Sequence, residues 1–318
     1  MRELNTFGRY LKKRFKTRVY KIPVSVVGFT CPNIDGKVAR GGCVYCENES
    51  FSPNLANNRS KFTLSLDSLQ NPLLDLQLEE LDRQYEETKK HFLRNYGIKR
   101  YIIYFQSFSN TYAPLETLKK LYERALGKKD VVGISIGTRA DCVNDEIFKH
   151  LKELSKKKEI WIEFGVQSTN DEVLQKTNRG ETYKEIKKSI IRAKEYGLNV
   201  CVHMIFGLPK ETPQMMLEGI REISTLGVDS IKFHPCYVVK NTILANDYMV
   251  KKYEPLSEDE YIKTLVEAIK ILPPDIKIQR VAAGISNDTL LAPKWCGDDK
   301  NKQMKKIKKA LLKEGLIY

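Results

Sequence analysis

Six short apolar runs, each followed by a segment of helical spacing, constrain this chain more than any single motif. The runs KIPVSVVGF (21–29), RYIIYFQ (100–106), DVVGISIG (130–137), EIWIEFGVQ (159–167), NVCVHMIFG (199–207) and VDSIKFHPCYV (228–238) are rich in β-branched and aromatic residues, as buried strands are. Between them, LDLQLEELDRQYEETKKHFLRNYG, PLETLKKLYERALG, NDEIFKHLKELSKKK, YKEIKKSIIRAKEYG and TPQMMLEGIREISTLG repeat apolar residues at helical spacing. Several open on Asn, Thr or Pro and close on Gly, as helix ends do. Alternating strands and helices pair in parallel through right-handed crossovers, so the expected class is α/β. The sheet is either open and doubly wound or a curved, partial barrel. No Gly-x-Gly-x-x-Gly follows the first strand, which argues against a dinucleotide-binding domain. After about residue 240 the rhythm loosens into a helix (SEDEYIKTLVEAIKIL), a strand (DIKIQRVA) and a basic terminal helix (KNKQMKKIKKALLKEG). The expected organisation is a basic N-terminal segment (1–20), a barrel (21–240) and a C-terminal extension (241–318) that caps it.

In place of a phosphate-binding turn, the first strand runs into GFTCPNIDGKVARGGCVYCENESFSPN (28–54), which holds Cys31, Cys43 and Cys46. Functional loops of α/β barrels lie at the C-terminal ends of the strands, where this loop falls. Four readings compete for the three thiols. A structural zinc site usually recruits four Cys or His ligands, and the loop offers three. Redox Cys-x-x-Cys chemistry leaves Cys31 unexplained. Buried structural thiols do not suit a loop so polar and glycine-rich. The fourth reading is a [4Fe–4S] cluster; such cubanes ordinarily take four cysteines, and three leave one iron open to a small chelate. S-adenosyl-L-methionine (SAM) is such a chelate, through its amino and carboxylate groups.

Charge is the second global constraint. The 318 residues carry a formal net charge of +14, concentrated in YLKKRFKTRVYK, KKHFLRNYGIKR and KNKQMKKIKKALLK. Solvated helix faces account for such runs, and so does a nucleic-acid partner, because clustered cations release counterions from phosphates. No apolar run approaches the roughly 18–20 residues that cross a bilayer. The basic N-terminus lacks the apolar stretch of a secretory signal, so a cytoplasmic location is expected. Clustered cysteines in that compartment serve metals or chemistry more often than disulfides.

The loop resembles that of the radical SAM superfamily, whose cluster motif ends in Cys-x-aromatic-Cys, here Cys43-Val44-Tyr45-Cys46. The common spacing puts three residues between the first two cysteines, and this chain has eleven. CPNIDGKVARGGCVYC is instead similar to the longer loop of the YhcC/YtqA (MnmL)-type branch, related to the radical SAM domain of the elongator catalytic subunit. That branch usually has an arginine where Ile34 stands. YFQSFSNTYAP (104–114), IGTRADC (136–142), GVQSTNDEVLQKTNRG (165–180), HMIFGLPKET (203–212), IKFHPCYVVKNT (231–242) and LLAPKWC (290–296) resemble the same branch, in order.

The resemblance implies a partial (β/α)6 TIM-like barrel of the radical SAM type with a C-terminal α/β extension. It implies a [4Fe–4S] cluster on Cys31, Cys43 and Cys46, and SAM that is reductively cleaved to a 5′-deoxyadenosyl radical. Tyr45, Gln106 and Ser107, Thr138 and Arg139 (with Asp141), Gln167, Arg179 and His203 are the residues it places around SAM. Gln106 and Ser107 would meet the amino group, Gln167 the ribose, and Arg179 the carboxylate through a planar fork. The turn GLPKE would approach the adenine. His203 and His234, near the ends of the fifth and sixth strands, are candidates for substrate binding or proton transfer. Cys142, Cys201, Cys236 and Cys296 read as buried apolar residues, with Cys296 in APKWC the one to watch. The implied substrate is a tRNA wobble uridine whose carboxymethylaminomethyl group is trimmed to aminomethyl. A flavodoxin- or ferredoxin-type electron donor is implied, and neither DNA nor a membrane. A small-molecule substrate such as a tetrapyrrole, and a non-catalytic iron–sulfur redox regulator, are the alternatives.

Overall fold

The described residues of the computed structural model are 1–48, 60, 62–285 and 288–318; positions 49–54 of the cysteine-rich stretch lie outside them. In chain order the elements are β1 (Arg2–Glu3), α1 (Phe7–Phe15), β2 (Val19–Val24), α2 (Leu74–Tyr96), β3 (Arg100–Phe105), α3 (Leu115–Leu126), β4 (Val131–Thr138) and α4 (Asp145–Ser155). They continue through β5 (Glu159–Gln167), α5 (Asp171–Lys176), α6 (Tyr183–Glu195), β6 (Asn199–Phe206), α7 (Pro213–Ser224) and β7 (Ser230–Pro235). The chain then runs through β8 (Val238–Val239), α8 (Ile243–Met249), α9 (Glu258–Ile271), β9 (Lys277–Arg280), β10 (Leu290–Ala292), α10 (Lys300–Lys313) and β11 (Leu316–Ile317).

All six expected strands form. With β9, drawn from DIKIQRVA, they make one parallel sheet in the order β2-β3-β4-β5-β6-β7-β9. The sheet curls into a half-barrel with its helices outside. Its two edges come together inside: Lys21 Nζ on β2 donates to Gln279 Oε1 on β9 at 2.7 Å. The N-terminal segment closes the seam from below, since Ile278 N donates to Asn5 O at 2.8 Å. Farther out, β1 pairs in parallel with β11. The helices are anchored as their sequences dictate. Thr182 caps α6 in a reciprocal box with Glu185, Asn144 caps α4, and Thr212 caps α7 ahead of a proline at its first turn. Among the described residues, no helix is long and apolar enough to cross a membrane.

The basic start of the chain has a structural task. Helix α1 turns Phe7 and Leu11 inward while Lys12 and Lys13 stay exposed. Phe7 and Leu11 pack with Val19, Ile102, Trp161 and Cys201 in an apolar plug across the N-terminal ends of the strands. Phe7 meets the Trp161 ring edge-on, with centroids 5.0 Å apart. The polar edge of the plug is satisfied by one carboxylate: Glu159 accepts from Tyr10 Oη at 2.6 Å and from Trp161 Nε1 at 3.0 Å. Replacing Leu11 with alanine deletes buried methyls from this plug and should lower unfolding free energy by about 2–5 kcal/mol. Lys13→Ala on the exposed face should stay within about 0.5 kcal/mol. Urea unfolding midpoints of the two variants check the contrast.

Candidate functional site

At the other end of the half-barrel the strand-end loops surround a cavity of about 460 Å³. Its wall includes Cys31, Cys43, Tyr45, Cys46, Gln106, Ser107, Thr138, Arg139, Gln167, Arg179 and His203, the residues singled out by the resemblance as cluster or SAM ligands apart from Asp141. Ile34 and His234 are also on the wall.

The cysteine loop is folded by its own backbone. Ile34 N donates to Cys31 O at 2.8 Å, Gly42 N to Asn33 O at 2.8 Å, and Cys46 N to Cys43 O at 2.9 Å. It is docked on the segment after α5. Val44 N donates to Thr177 O at 3.0 Å, Asn178 Nδ2 to Gly42 O at 2.8 Å, and Asn33 Nδ2 to Asn178 O. The contact requires glycine at 180: its φ is +68°, and a Cβ would stand 2.6 Å from Asn33 Oδ1. The Asn178-Arg179-Gly180 run is thus the seat of the loop as well as the source of Arg179.

Arg179 is buried and held on several sides. Its Nη2 donates to Gly165 O at 2.7 Å and pairs with Glu181 at 2.7 Å, and its Nη1 lies 3.9 Å from Cys43 Sγ. Arg139 stands behind it, donating to Arg179 O at 2.8 Å and, through a fork, to both oxygens of Asp141 at 2.9 and 2.6 Å. Arg139 therefore spends its fork inside the protein. Asp141 is absent from the cavity wall; although burial alone would raise its pKa, the bonds from Arg139 hold it below the usual range. Thr138 is committed in a similar way, its hydroxyl 2.6 Å from that of Thr111.

Among the described residues, the buried wall atoms Arg179 Nε, Gln167 Oε1 and His234 Nε2 have no hydrogen-bond partner. Such orphans each cost roughly 1–3 kcal/mol, which a polar ligand in the cavity would recover. Gln167 also carries strain: its φ is +69°, at an irregularity where β5 slips against β6 between Gly165 and Gln167. Ser107 and Phe108, just past β3, are likewise left-handed at +74° and +57°. Strain and unmet polarity meet on one wall.

The thiols fit a multi-iron group better than a single ion. Burial pushes the pKa of Cys31 up, and burial with the neighbouring Cys43 pushes that of Cys46 up, so thiolates here need a strong cationic partner. One zinc ion would draw its sulfurs to about 3.8 Å from each other. The three sulfurs are not gathered within 4.8 Å of one another; among the described residues the one such set is Glu163, Cys201 and His203. That set is no cation site, because Lys21 and Lys232 already occupy its carboxylate. Cys142, Cys201, Cys236 and Cys296 are buried, and of these Cys236 alone reaches the wall.

Sequence reasoning missed the charged residues below the rim. Glu163, on β5, is fully buried and accepts from Ser135 Oγ at 2.8 Å and His203 Nε2 at 2.9 Å, and from Lys21 and Lys232. Burial, with Lys232 adding to it, pushes the His203 pKa down to about 4, so the ring is neutral. Arg280, at the end of β9, completes the wall. The signal was in the strands: Glu163, Gly165 and Gln167, like Lys232 and His234, recur at every second residue and so share one face.

A curled parallel half-barrel with a thiol-bearing loop at its strand ends and an unsatisfied polar cavity beside it defines a cofactor-binding α/β barrel protein. Residues 35–223 match the family described as the radical SAM superfamily, and residues 228–313 the radical SAM C-terminal domain. The chain belongs to the radical SAM superfamily. It is 33% identical to protein YhcC of Escherichia coli (strain K12) over 294 residues, 92% of this chain and 87% of that one. It is 32% identical to YtqA of Bacillus subtilis (strain 168) over 291 residues, 92% and 84% of the two chains. A tRNA uridine(34) acetyltransferase of Methanocaldococcus infernus shares 29% identity over 174 residues, 54% of this chain and 32% of that protein. The fold is similar to that of the archaeal Methanocaldococcus infernus Elp3, with a TM-score of 0.61 at 18% identity, covering 93% of this chain and 64% of that one.

The GLPKE turn does not reach the wall. Its Glu211 instead supports the Gln167 turn from behind, accepting from Ser168 Oγ at 2.6 Å. Burial raises the Glu211 pKa from its ordinary 4.5 to about 7. A carboxyl whose folded value lies above its unfolded value supports the fold fully below about pH 4.5 and loses that support as pH rises through about 7. Wild-type stability should therefore carry a falling component across that window, on the order of 3 kcal/mol. Glu211→Gln should remove it, as read from urea midpoints at pH 4.5, 6 and 8.

Proposed function

We propose that this chain is a [4Fe–4S] radical SAM enzyme that acts on the wobble uridine of tRNA, trimming a carboxymethylaminomethyl group to aminomethyl. The observation that carries the reading is the convergence on one wall of Cys31, Cys43 and Cys46 with Arg179 Nε and Gln167 Oε1, which lack partners among the described residues. The three thiolates would hold the cluster, Arg179 would face the SAM carboxylate, Gln167 the ribose, and Gln106 and Ser107 the amino group. Tyr45, Thr138, Arg139 and His203 complete that pocket. When bound, the pair supplies reductive cleavage of a carbon–sulfur bond and removal of one hydrogen atom from a substrate carbon. The protein's share is positioning and exclusion of water. Arg139 and Glu181 fix Arg179, Gly180 fixes the cysteine loop, and the Phe7–Leu11–Trp161 plug closes the far end of the half-barrel.

Two observations support tRNA. The chain shares part of its length with a protein named for uridine 34 of tRNA. Its net charge of +14 includes exposed lysines on α1 (Lys12, Lys13) and α10 (Lys302, Lys305, Lys308, Lys309). Such cations contact phosphate and shape rather than sequence. A flavodoxin- or ferredoxin-type donor would supply the electron, and the cytoplasm would supply both.

The test has two parts. Protein reconstituted anaerobically with iron and sulfide should form 5′-deoxyadenosine from SAM, and the Cys31/Cys43/Cys46→Ala variant should lose at least a hundredfold of that activity. In cells lacking the protein, nucleoside mass spectrometry of tRNA should show the carboxymethylaminomethyl form accumulating. A cluster without any 5′-deoxyadenosine, with or without tRNA, would point to a redox regulator. Unchanged tRNA nucleosides, with SAM cleavage intact, would point to a small-molecule substrate.

A further inference from the structure

We propose that the floor of the cavity is a subsite for a carboxylate of the substrate, with Arg280 and Lys21 as its cationic donors and His234 as a neutral one. The inference rests on the tRNA reading above, and it assigns the carboxymethyl carboxylate of the modified uridine to this floor.

The charges do not cancel there. Glu163 contributes one negative charge against the ammonium groups of Lys21 and Lys232 and the guanidinium of Arg280. Lys232 is buried behind Tyr104, 4.2 Å from its ring centroid, and is not part of the wall. It neutralises Glu163 from beneath. Lys21, which shares Glu163, and Arg280 face the cavity, and among the described wall residues Glu163 is the one carboxylate, so the floor carries an excess of positive charge. His203 and His234 do not add to them, since burial holds both rings neutral.

Arg280 and His234 are also available, and the Lys21 ammonium keeps one N–H beyond those it gives Glu163 and Gln279. The Arg280 side chain makes no hydrogen bond or ion pair among the described residues, and the residue is exposed and lines the cavity. Among the described residues His234 Nε2 is buried without a hydrogen-bond partner, and its ring centroid is 5.8 Å from that of His203. A neutral imidazole can give one N–H and a guanidinium a planar pair of them, the donor set that suits a carboxylate. Burying excess positive charge is costly without a counter-anion, as the Lys21 pKa shows: burial pulls it down to about 8 despite the contact with Glu163. An arriving carboxylate removes that cost. SAM's own carboxylate would meet a separate donor, the unbonded Nε of Arg179, whose Nη1 lies beside Cys43.

The experiment uses the anaerobically reconstituted full chain and its Arg280→Gln and Arg280→Lys variants, each checked for an unchanged melting curve. Affinity is measured for tRNA bearing carboxymethylaminomethyluridine and for the same tRNA bearing aminomethyluridine, with SAM affinity measured in parallel. Wild type should prefer the carboxylate-bearing tRNA by about tenfold or more. Arg280→Gln should abolish the preference, Arg280→Lys should restore part of it, and SAM affinity should not move. A preference that survives Arg280→Gln overturns the proposal. So does a parallel loss of SAM affinity, which would assign Arg280 to SAM. If wild type binds neither tRNA, the tRNA reading has failed on its own, and N-methylglycine becomes the probe. Thermal stabilisation of wild type but not of Arg280→Gln by N-methylglycine would keep the carboxylate subsite; stabilisation of both or neither would remove it.

Discussion

A single buried carboxylate ties the half-barrel together. Glu163 on β5 receives Lys21 from β2, Ser135 from β4, His203 from β6 and Lys232 from β7, so one side chain reaches nearly from edge to edge across the lumen. A charge at this depth is tolerated only because each of its lone pairs is met. Removing a partner from such a group typically costs 3–5 kcal/mol. Lys21 continues the chain of bonds to Gln279, and Gln279 Nε2 to Ser230 Oγ at 2.8 Å, so the polar layer also joins the two sheet edges. The curl of the sheet and the shape of the cavity above it both follow from this layer.

Above the layer, the cofactor end is organised by mutual support rather than by regular structure. The cysteine loop takes its position from Thr177, Asn178 and Gly180, while Arg179 between them turns toward Cys43. Arg139, Asp141 and Glu181 then fix Arg179. A loop that lacks helix or strand gains definition because a short rigid segment offers it both backbone acceptors and a glycine gap. Strain at Gln167 and Ser107 is maintained by the same packing.

The strands and the three loop thiols were legible in the sequence because their signals are local, whereas the other expected wall residues came from the family resemblance. β-branched runs, glycine-closed helices and the Cys-x-x-Cys pair all lie within a dozen residues of themselves. The residues that escaped are those whose meaning depends on distant partners. Lys21 and Arg280 are ordinary cations until the sheet curls and brings its edges together. Glu163 reads as one polar residue in an apolar strand, since a parallel strand buried on both faces shows little alternation. The start of the chain reads as a basic segment, and its two inward residues acquire their role from Trp161, far along the sequence.

Because α1 stoppers the N-terminal ends of the strands, the Glu163 layer lies between that plug and the strand-end loops. An occupant entering from the loop side and settling on that layer would have the cysteine loop above it. Two occupants stacked in that way would be ordered: one at the lip would imprison one at the bottom.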